Sequence, residues 1–175
     1  MTLDTWYLGL FLILALVLVK PAIRRMTHAR ELRAFSFDGA TPRRSLLGFH
    51  GLRIERAAWA ADVVFKPIFE KGGHTHFKAD LKRATPDVEF RADQGGALAL
   101  TPKGDEAFAE KLLTPALRDR LLRLGAIGGR LWYVRGGILE IVGPLASRDE
   151  DLRPFLTLCA EIADLAVDAL SKEKR

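Results

Sequence analysis

The sequence predicts an α+β protein: one N-terminal transmembrane helix, followed by a single domain with an antiparallel sheet, two short tandem helices and a C-terminal packing helix. Three observations lead to this fold class. An uncharged apolar run fills residues 5–19, short runs of alternating apolar residues dominate the middle of the chain, and helical spacing returns near its end. At 175 residues, 49% of them apolar and 28% charged, the chain has room for one globular domain beside the apolar run.

The opening apolar run predicts a retained membrane anchor. As a helix, residues 5–19 cover about 22 Å. If Lys20 snorkels and the span continues to residue 23, it reaches about 28 Å, against a hydrocarbon core of roughly 30 Å. A cleavable leader and a buried core helix are the alternatives, but a leader carries positive charge ahead of its apolar run, whereas only Asp4 stands ahead of this one. We therefore expect an anchor at residues 1–23, with its span at about 5–23.

A basic segment directly behind the run predicts the orientation of the chain. Residues 24–33 are expected to form a basic juxtamembrane helix, and the positive-inside rule then puts the N-terminus outside and the domain at 34–175 in the cytoplasm, as a single-pass protein of the cell (inner) membrane. The predicted anchoring residues are Trp6, Tyr7, Lys20, Arg24 and Arg25, and the residues predicted to contact anionic lipid are Arg24, Arg25, Arg30 and Arg33. A topogenic signal alone also explains this charge. Because one segment accounts for the high isoelectric point, nucleic acid is not an expected partner.

The first half of the domain is predicted to be a β-rich meander. Apolar and polar residues alternate in LRIER, ADVVFKPIF and HTHFKADL. Pro67 in the second of these runs cannot donate a ladder hydrogen bond, which favours an edge position or a bulge. In chain order, the predicted strands are residues 35–37, closed by a turn at Asp38-Gly39 and Thr41-Pro42, then 52–56, 61–69, 74–81 and a pair within 87–101.

Two short tandem helices are predicted after these strands. DEAFAEKLL, at residues 105–113, has apolar residues near helical spacing, and Thr114-Pro115 starts a second helix that ends at Gly125.

A hairpin follows in RLWYVRGGILEIVG, with Gly136-Gly137 as its two-residue turn. The pairing puts Trp132 opposite Ile141 and Val134 opposite Leu139 on one face. The other face is also fairly apolar, so coverage of both faces stays open.

A long C-terminal helix is predicted to pack on the sheet, because its apolar residues recur at helical spacing. Two starts remain open. Ser147 and Glu150 would form a capping box, whereas Asp151 as the cap would place Pro154 in the first turn, which suits the proline better.

The residues that could carry chemistry are few. His74 and His76 share a strand face and could chelate a metal, but Lys78 and Lys82 on that face favour a solvated strand. Cys159, the single cysteine, lies on the apolar helix stripe and is expected to be inert core. The glycine pairs are interpreted as turns and the acidic Asp149-Glu150-Asp151 as a helix N-terminus. We therefore predict no catalytic, cofactor or metal site, and a protein that is not an enzyme.

A basic rim on the tandem helices is the remaining candidate, and it comprises Lys111 of the first helix and Arg118, Arg120 and Arg123 of the second. Acidic neighbours interrupt the rim and no aromatic residues are interleaved with it, so a salt-bridged surface is the favoured interpretation.

The segment from Asp87 to Gly143 resembles the globular part of a group of uncharacterised bacterial membrane-anchored proteins. The residues that carry the resemblance are Asp87, Phe90, Leu112, Leu113, Thr114 and Arg118. It implies membrane association and a cytoplasmic α+β domain, and adds no site.

The function that we expect is a non-enzymatic interaction or scaffolding module at the cytoplasmic face, whose partners are the bilayer and other membrane or cytoplasmic proteins. The alternative is a sensor that binds anionic lipid or a small ligand through the juxtamembrane residues and Arg118.

Overall fold

The computed structural model describes residues 7, 35–44, 50–66, 74–92, 100–123, 132–144 and 149–172. The chain divides into two compact units, Met1–Phe35 and Ser36–Arg175. In the first unit, Tyr7 is helical and 64% exposed. No helix among the described residues is both long enough and apolar enough to cross a membrane. Apart from Tyr7, the predicted span and the basic segment behind it lie outside these residues.

The second unit combines an antiparallel sheet with helices, which confirms the α+β class. The described strands are β1 (Ala40–Arg44), β2 (His50–Glu55), β3 (Ala60–Lys66), β4 (His74–Asp80), β5 (Val88–Ala92), β6 (Leu100–Gly104), β7 (Trp132–Arg135) and β8 (Ile138–Pro144). The described helices of this unit are α1 (Glu106–Leu112), α2 (Pro115–Arg123) and α3 (Asp149–Lys172).

The strands form one sheet in the order β1-β2-β3-β4-β8-β7-β5-β6, and every neighbouring pair is antiparallel. The meander from β2 to β4 and the pairing of β5 with β6 follow the prediction. The β7–β8 hairpin also has the predicted register, with Trp132 opposite Ile141 and Val134 opposite Leu139. Its turn needs positive φ at both central positions, and Gly136 and Gly137 have φ of 55° and 84°.

One face of the sheet, called here the inner face, forms the core with the helices. Residues that oppose each other from strand to strand make a continuous buried row across it: Leu52, Val63, Phe77, Ile141, Trp132 and Phe90. Trp132 and Phe90 stack with ring centroids 3.9 Å apart. Helix α3 contacts β4 and β8, and the ring of Phe155 fills the space where a side chain on Gly143 would stand. Burial of apolar side chains between these two layers is the main source of stability.

Two strand predictions are wrong in detail. The predicted strand at residues 35–37 is absent, since these residues lead into a turn at Asp38-Gly39 and β1 begins after it at Ala40. The amide of Ala40 donates to the carbonyl of Phe37, which closes this turn. Strand β3 is not an edge strand, because it lies between β2 and β4. Its described residues are Ala60–Lys66, so the alternative of a bulge at Pro67 lies outside the described residues.

The preferred start of the C-terminal helix is also wrong. Helix α3 begins at Asp149, so Asp151 is already inside the first turn and Pro154 stands within the helix. The three acidic residues of this turn are placed where the helix dipole favours negative charge. Arg153 donates from its guanidinium to the carboxylate of Asp149 one turn earlier, at 3.1 and 3.2 Å.

Candidate functional site

The face of the sheet opposite the inner face carries a row of polar side chains, one from each strand. Cross-strand pairing aligns them, so they project on the same side. In strand order this outer row consists of Thr41, Arg53, Asp62, Lys78, Glu140, Tyr133, Glu89 and Lys103. Positive and negative charges alternate over the four consecutive positions from Arg53 to Glu140. Because the outer row brings polar side chains from all eight described strands together on one face, we take it as the candidate site.

Ion pairs link strands β1, β2 and β3 on this face. Asp62 accepts hydrogen bonds from Arg43 at 2.7 Å and from Arg53 at 3.0 Å. The Asp62 side chain is 38% exposed and that of Arg53 is 32% exposed. Solvent therefore screens these pairs, and they order the side chains more than they stabilise the fold.

The centre of the outer row is a hydrogen-bonded group from three adjacent strands. The hydroxyl of Tyr133 donates to Oε2 of Glu140 at 2.7 Å, and His76 Nδ1 lies 3.2 Å from Oε1 of the same carboxylate. The side chains of His76 and Glu140 are each only 19% exposed. Both carboxylate oxygens of Glu140 thus have a partner, which is required of a charge so far removed from water.

Two pKa shifts describe what this group does chemically. The hydrogen bond to Glu140, helped by burial, raises the pKa of the Tyr133 phenol. Burial alone would raise the pKa of Glu140, but the hydrogen bonds from Tyr133 and His76, together with the charges of His76 and Lys78, outweigh it and lower that pKa. The pair is therefore a neutral phenol beside a carboxylate at neutral pH, and the one hydroxyl hydrogen of Tyr133 is used in the bond between them.

His74 and His76 lie on one strand face, as the spacing predicts, with their ring centroids 6.3 Å apart. The structure joins His76 to Glu140, which is 64 positions away in the chain, and not to a third metal ligand. Within the residues that the structure describes, no group of three or more histidine, cysteine or acidic side chains is arranged to hold a metal ion.

Cys159 is fully buried on α3, as predicted, and burial raises the pKa of its thiol well above the ordinary value. A thiol that does not ionise is a poor nucleophile.

Each of the two edge strands, β1 and β6, carries a proline at its middle position. The amide of Glu55 donates to the carbonyl of Gly39, so these two residues form a hydrogen-bonded pair. Hydrogen-bonded and non-hydrogen-bonded pairs alternate along an antiparallel ladder, so Pro42 of β1 and Leu52 of β2 form a non-hydrogen-bonded pair. The nitrogen of such a residue faces the open edge, and proline puts no donor there. Pro102 holds the same position at the other edge, since Asp105 donates to the carbonyl of Asp87 in the ladder of β6 with β5. A partner strand would meet a missing donor at the middle of either edge.

The other predicted site residues are divided between described and undescribed positions. Trp6, Lys20, Arg24, Arg25, Arg30 and Arg33 lie outside the described residues. On the basic rim, Lys111 is exposed and Arg118 is half-buried. The side chains of Arg120 and Arg123 are not among those that the structure describes.

Sequence reasoning missed Glu140, the central residue of the site. The available signal was its position in a hairpin strand: Glu140 is a charge between Ile138 and Val142 on a face that is otherwise apolar. A charge in such a place requires partners, but the sequence could not identify the neighbouring strand that supplies His76.

The sequence matches no protein-family model and no curated protein. The structure is similar to the crystal structure of the mycobacterial trehalose monomycolate transport factor A, TtfA, with a TM-score of 0.45 and 12% sequence identity, over 81% of this chain and 92% of that chain. A likeness at this level does not establish a shared function. The resemblance to bacterial membrane-anchored proteins stays a prediction.

Proposed function

We propose that this protein is a single-span, membrane-anchored interaction module without enzymatic activity, and that its partner proteins dock on the outer row at the cytoplasmic face of the cell membrane. The observation that carries the proposal is the contrast between the two sheet faces. The inner face is buried under helices, whereas the outer face presents an ordered set of polar groups with Tyr133 and Glu140 at its centre. The group of Tyr133, Glu140 and His76 has preset hydrogen bonds, so a partner need not order it on binding.

The sheet edges support a face as the docking surface. An extended peptide that adds a strand needs a row of free backbone donors and acceptors. Pro42 and Pro102 interrupt that row at the two edges. A partner is therefore recognised by side chains of the outer row and not by main-chain pairing.

The anchor gives such a docking surface its effect. The uncharged run at residues 5–19 and the basic residues behind it are the basis of the proposed span. Confinement of both partners to one membrane raises their effective concentration, so contacts of modest affinity are sufficient. In this arrangement the residues from Arg24 to Arg33 contact anionic headgroups and fix the orientation of the chain.

Site-specific photocrosslinking in native membranes tests the docking surface. The full-length chain would carry p-benzoylphenylalanine in place of Lys78, an exposed residue of the outer row, or in place of Thr157, an exposed residue of α3 that serves as the matched control. We expect discrete crosslinked products from position 78 that are absent from position 157. Equal yields from both positions, or none from either, would contradict the proposal.

Alkaline extraction tests the anchor separately. The chain is expected to stay in the membrane pellet, with an intact N-terminus. Recovery of a freely soluble chain that starts beyond Ala22 would show that the segment is a leader and that the domain lies elsewhere.

A further inference from the structure

We infer that a second copy of this chain is a partner of the outer row, and that the two copies meet face to face about a two-fold axis parallel to the strands. This inference rests on the proposed function, because it names the occupant of the same surface. It is carried by the order of charges along the outer row and by its position relative to the middle of the sheet.

The outer row is complementary to itself about the centre of the sheet. The eight strands have their midpoint between β4 and β8, which carry Lys78 and Glu140. A two-fold axis parallel to the strands at this midpoint sets each position of one row against the position equally far from the centre in the other copy. The facing pairs are Lys78 with Glu140, Asp62 with Tyr133, Arg53 with Glu89, and Thr41 with Lys103. Two of these pairs join opposite charges, and none joins like charges.

Other placements of the axis are less favourable. An axis through β4 itself would set Lys78 against Lys78 of the second copy and Asp62 against Glu140, so like charges would meet at the centre of the contact. Like charges that face each other across an interface disfavour that arrangement. An axis between β3 and β4, or between β8 and β7, also joins two pairs of opposite charges, but it brings only six of the eight strands into contact. The central axis alone covers all eight strands.

The size of the face predicts how strong the contact is. Eight strands spaced by about 4.8 Å and about five residues long, at 3.3 Å each, present a footprint of roughly 600 Å² per copy. A stable complex buries about 800 Å² on each partner. The pair is therefore expected to be weak in solution, to need confinement to the membrane, and to loosen when salt screens the charges.

Charge reversal with two differently tagged full-length chains tests the inference. Lys78→Glu alone sets two glutamates against each other at each half of the contact, and Glu140→Lys alone sets two lysines there. A mixture of the two variants restores an attractive pair at both halves, because Glu at 78 then faces Lys at 140, and native Glu140 faces native Lys78.

The measurement is the yield of crosslinked product that contains both tags in native membranes. We expect each single variant to lower this yield by about fivefold or more, and co-expression of K78E with E140K to return it to near the wild-type value. Two variants that had each misfolded would not restore the yield when they are mixed, so a restored yield shows that each single variant lost the contact and not its fold. Lys82→Glu, an exposed residue outside the outer row, is the control and should leave the yield unchanged. E140K breaks the hydrogen bonds to Tyr133 and His76 and for that reason could fail to accumulate. In that case Arg53→Glu and Glu89→Lys, which reverse the facing pair of Arg53 and Glu89, replace K78E and E140K in the same experiment.

The outcomes separate the two proposals. If K78E lowers the yield and the mixture does not restore it, or if K78E has no effect, the face-to-face pair is wrong. If the photocrosslinker at position 78 captures other proteins, while two wild-type chains with different tags give no crosslinked product that contains both tags, the second copy is excluded and the docking surface stands. If it captures nothing, both proposals fail.

Discussion

The carboxylate of Asp164 joins the C-terminal helix to the turn between β2 and β3, and its removal is expected to lower the free energy of unfolding by about 2 kcal/mol. One oxygen accepts a hydrogen bond from the indole nitrogen of Trp59 at 2.7 Å, and the other accepts one from Arg56 Nη1, also at 2.7 Å. Trp59 is fully buried. Its indole N–H has no contact with solvent in the native chain and depends on Asp164 for its hydrogen bond.

Three contributions make up this expected loss for Asp164→Ala. A buried N–H without an acceptor costs about 1–3 kcal/mol. The ion pair with Arg56 adds only roughly 0.5 kcal/mol, because the two side chains are 32% and 47% exposed and solvent screens them. Alanine in a helix interior returns about 0.5 kcal/mol relative to aspartate. The bond to Trp59 therefore dominates.

Asp164→Asn separates these contributions, since the amide oxygen can still accept from Trp59 while the charge opposite Arg56 is gone. We expect it to cost about 0.5–1 kcal/mol. The assay is urea unfolding of the full chain in mild detergent, followed by tryptophan fluorescence. Asp168→Ala, an exposed position on the same helix, makes the same change in helix propensity and is the control. Equal stability of the alanine and asparagine variants at position 164, within about 0.5 kcal/mol, would refute the assigned role of the indole bond.

Gly104, Glu140 and Cys159 each support a further prediction. Gly104 has φ +100° and its Cβ would meet the carbonyl of Asp87, so Gly104→Ala is expected to cost about 2 kcal/mol or more in urea unfolding, against about 1 kcal/mol for Gly136→Ala, where φ is +55° and no atom lies within 4 Å. The folded pKa of Glu140 is lowered, so its contribution is present above the ordinary value of about 4.3 and lost as the pH falls through the folded value; the difference in free energy of unfolding between the wild-type chain and Glu140→Gln should therefore shrink below about pH 4 in urea unfolding. Cys159 is 0% exposed, so its labelling by a maleimide should follow the extent of unfolding, and fast labelling of the native chain would contradict its place in the core.

The sequence was sufficient wherever local chemistry decides the structure. The turn at Gly136-Gly137 requires positive φ at both central residues, which glycine adopts readily. This two-residue turn sets the hairpin register and so places Trp132 opposite Ile141 without help from tertiary contacts. Asp105 caps α1 in the same local way, by accepting from the amide of Phe108 at 2.8 Å. Such features depend on residues within a few positions of one another.

One error comes from competition between two local signals, and the other from a local signal that the order of strands overrides. Phe35 and Phe37 alternate as in a strand, but the turn at Asp38-Gly39 places the ladder after it, because Ala40 opposes Ile54. Pro67 favours an edge position for its strand, but β3 has a neighbour on each side, and the packing of the whole core decides which strands are neighbours.

The candidate site was beyond local reasoning because it depends on the order of strands. Strand β8 pairs with β4 and separates it from β7, and this places Glu140 beside His76 and Lys78 beside Glu140. Alternation within each strand predicts which residues share a face. Which strand lies next to which is decided by the packing of the whole core.

Antiparallel pairing also explains how one surface can serve both the fold and the association that we propose. Opposite charges on adjacent strands stabilise the sheet, and a row built from such pairs is complementary to a copy of itself when the axis falls between two strands. The contact about a two-fold axis would use the entire outer face of each copy, while the inner face is buried and the edges carry Pro42 and Pro102. An isologous contact of this kind closes on itself, and no second sheet surface remains for a third copy. The assembly expected from this geometry is therefore a pair and not a filament.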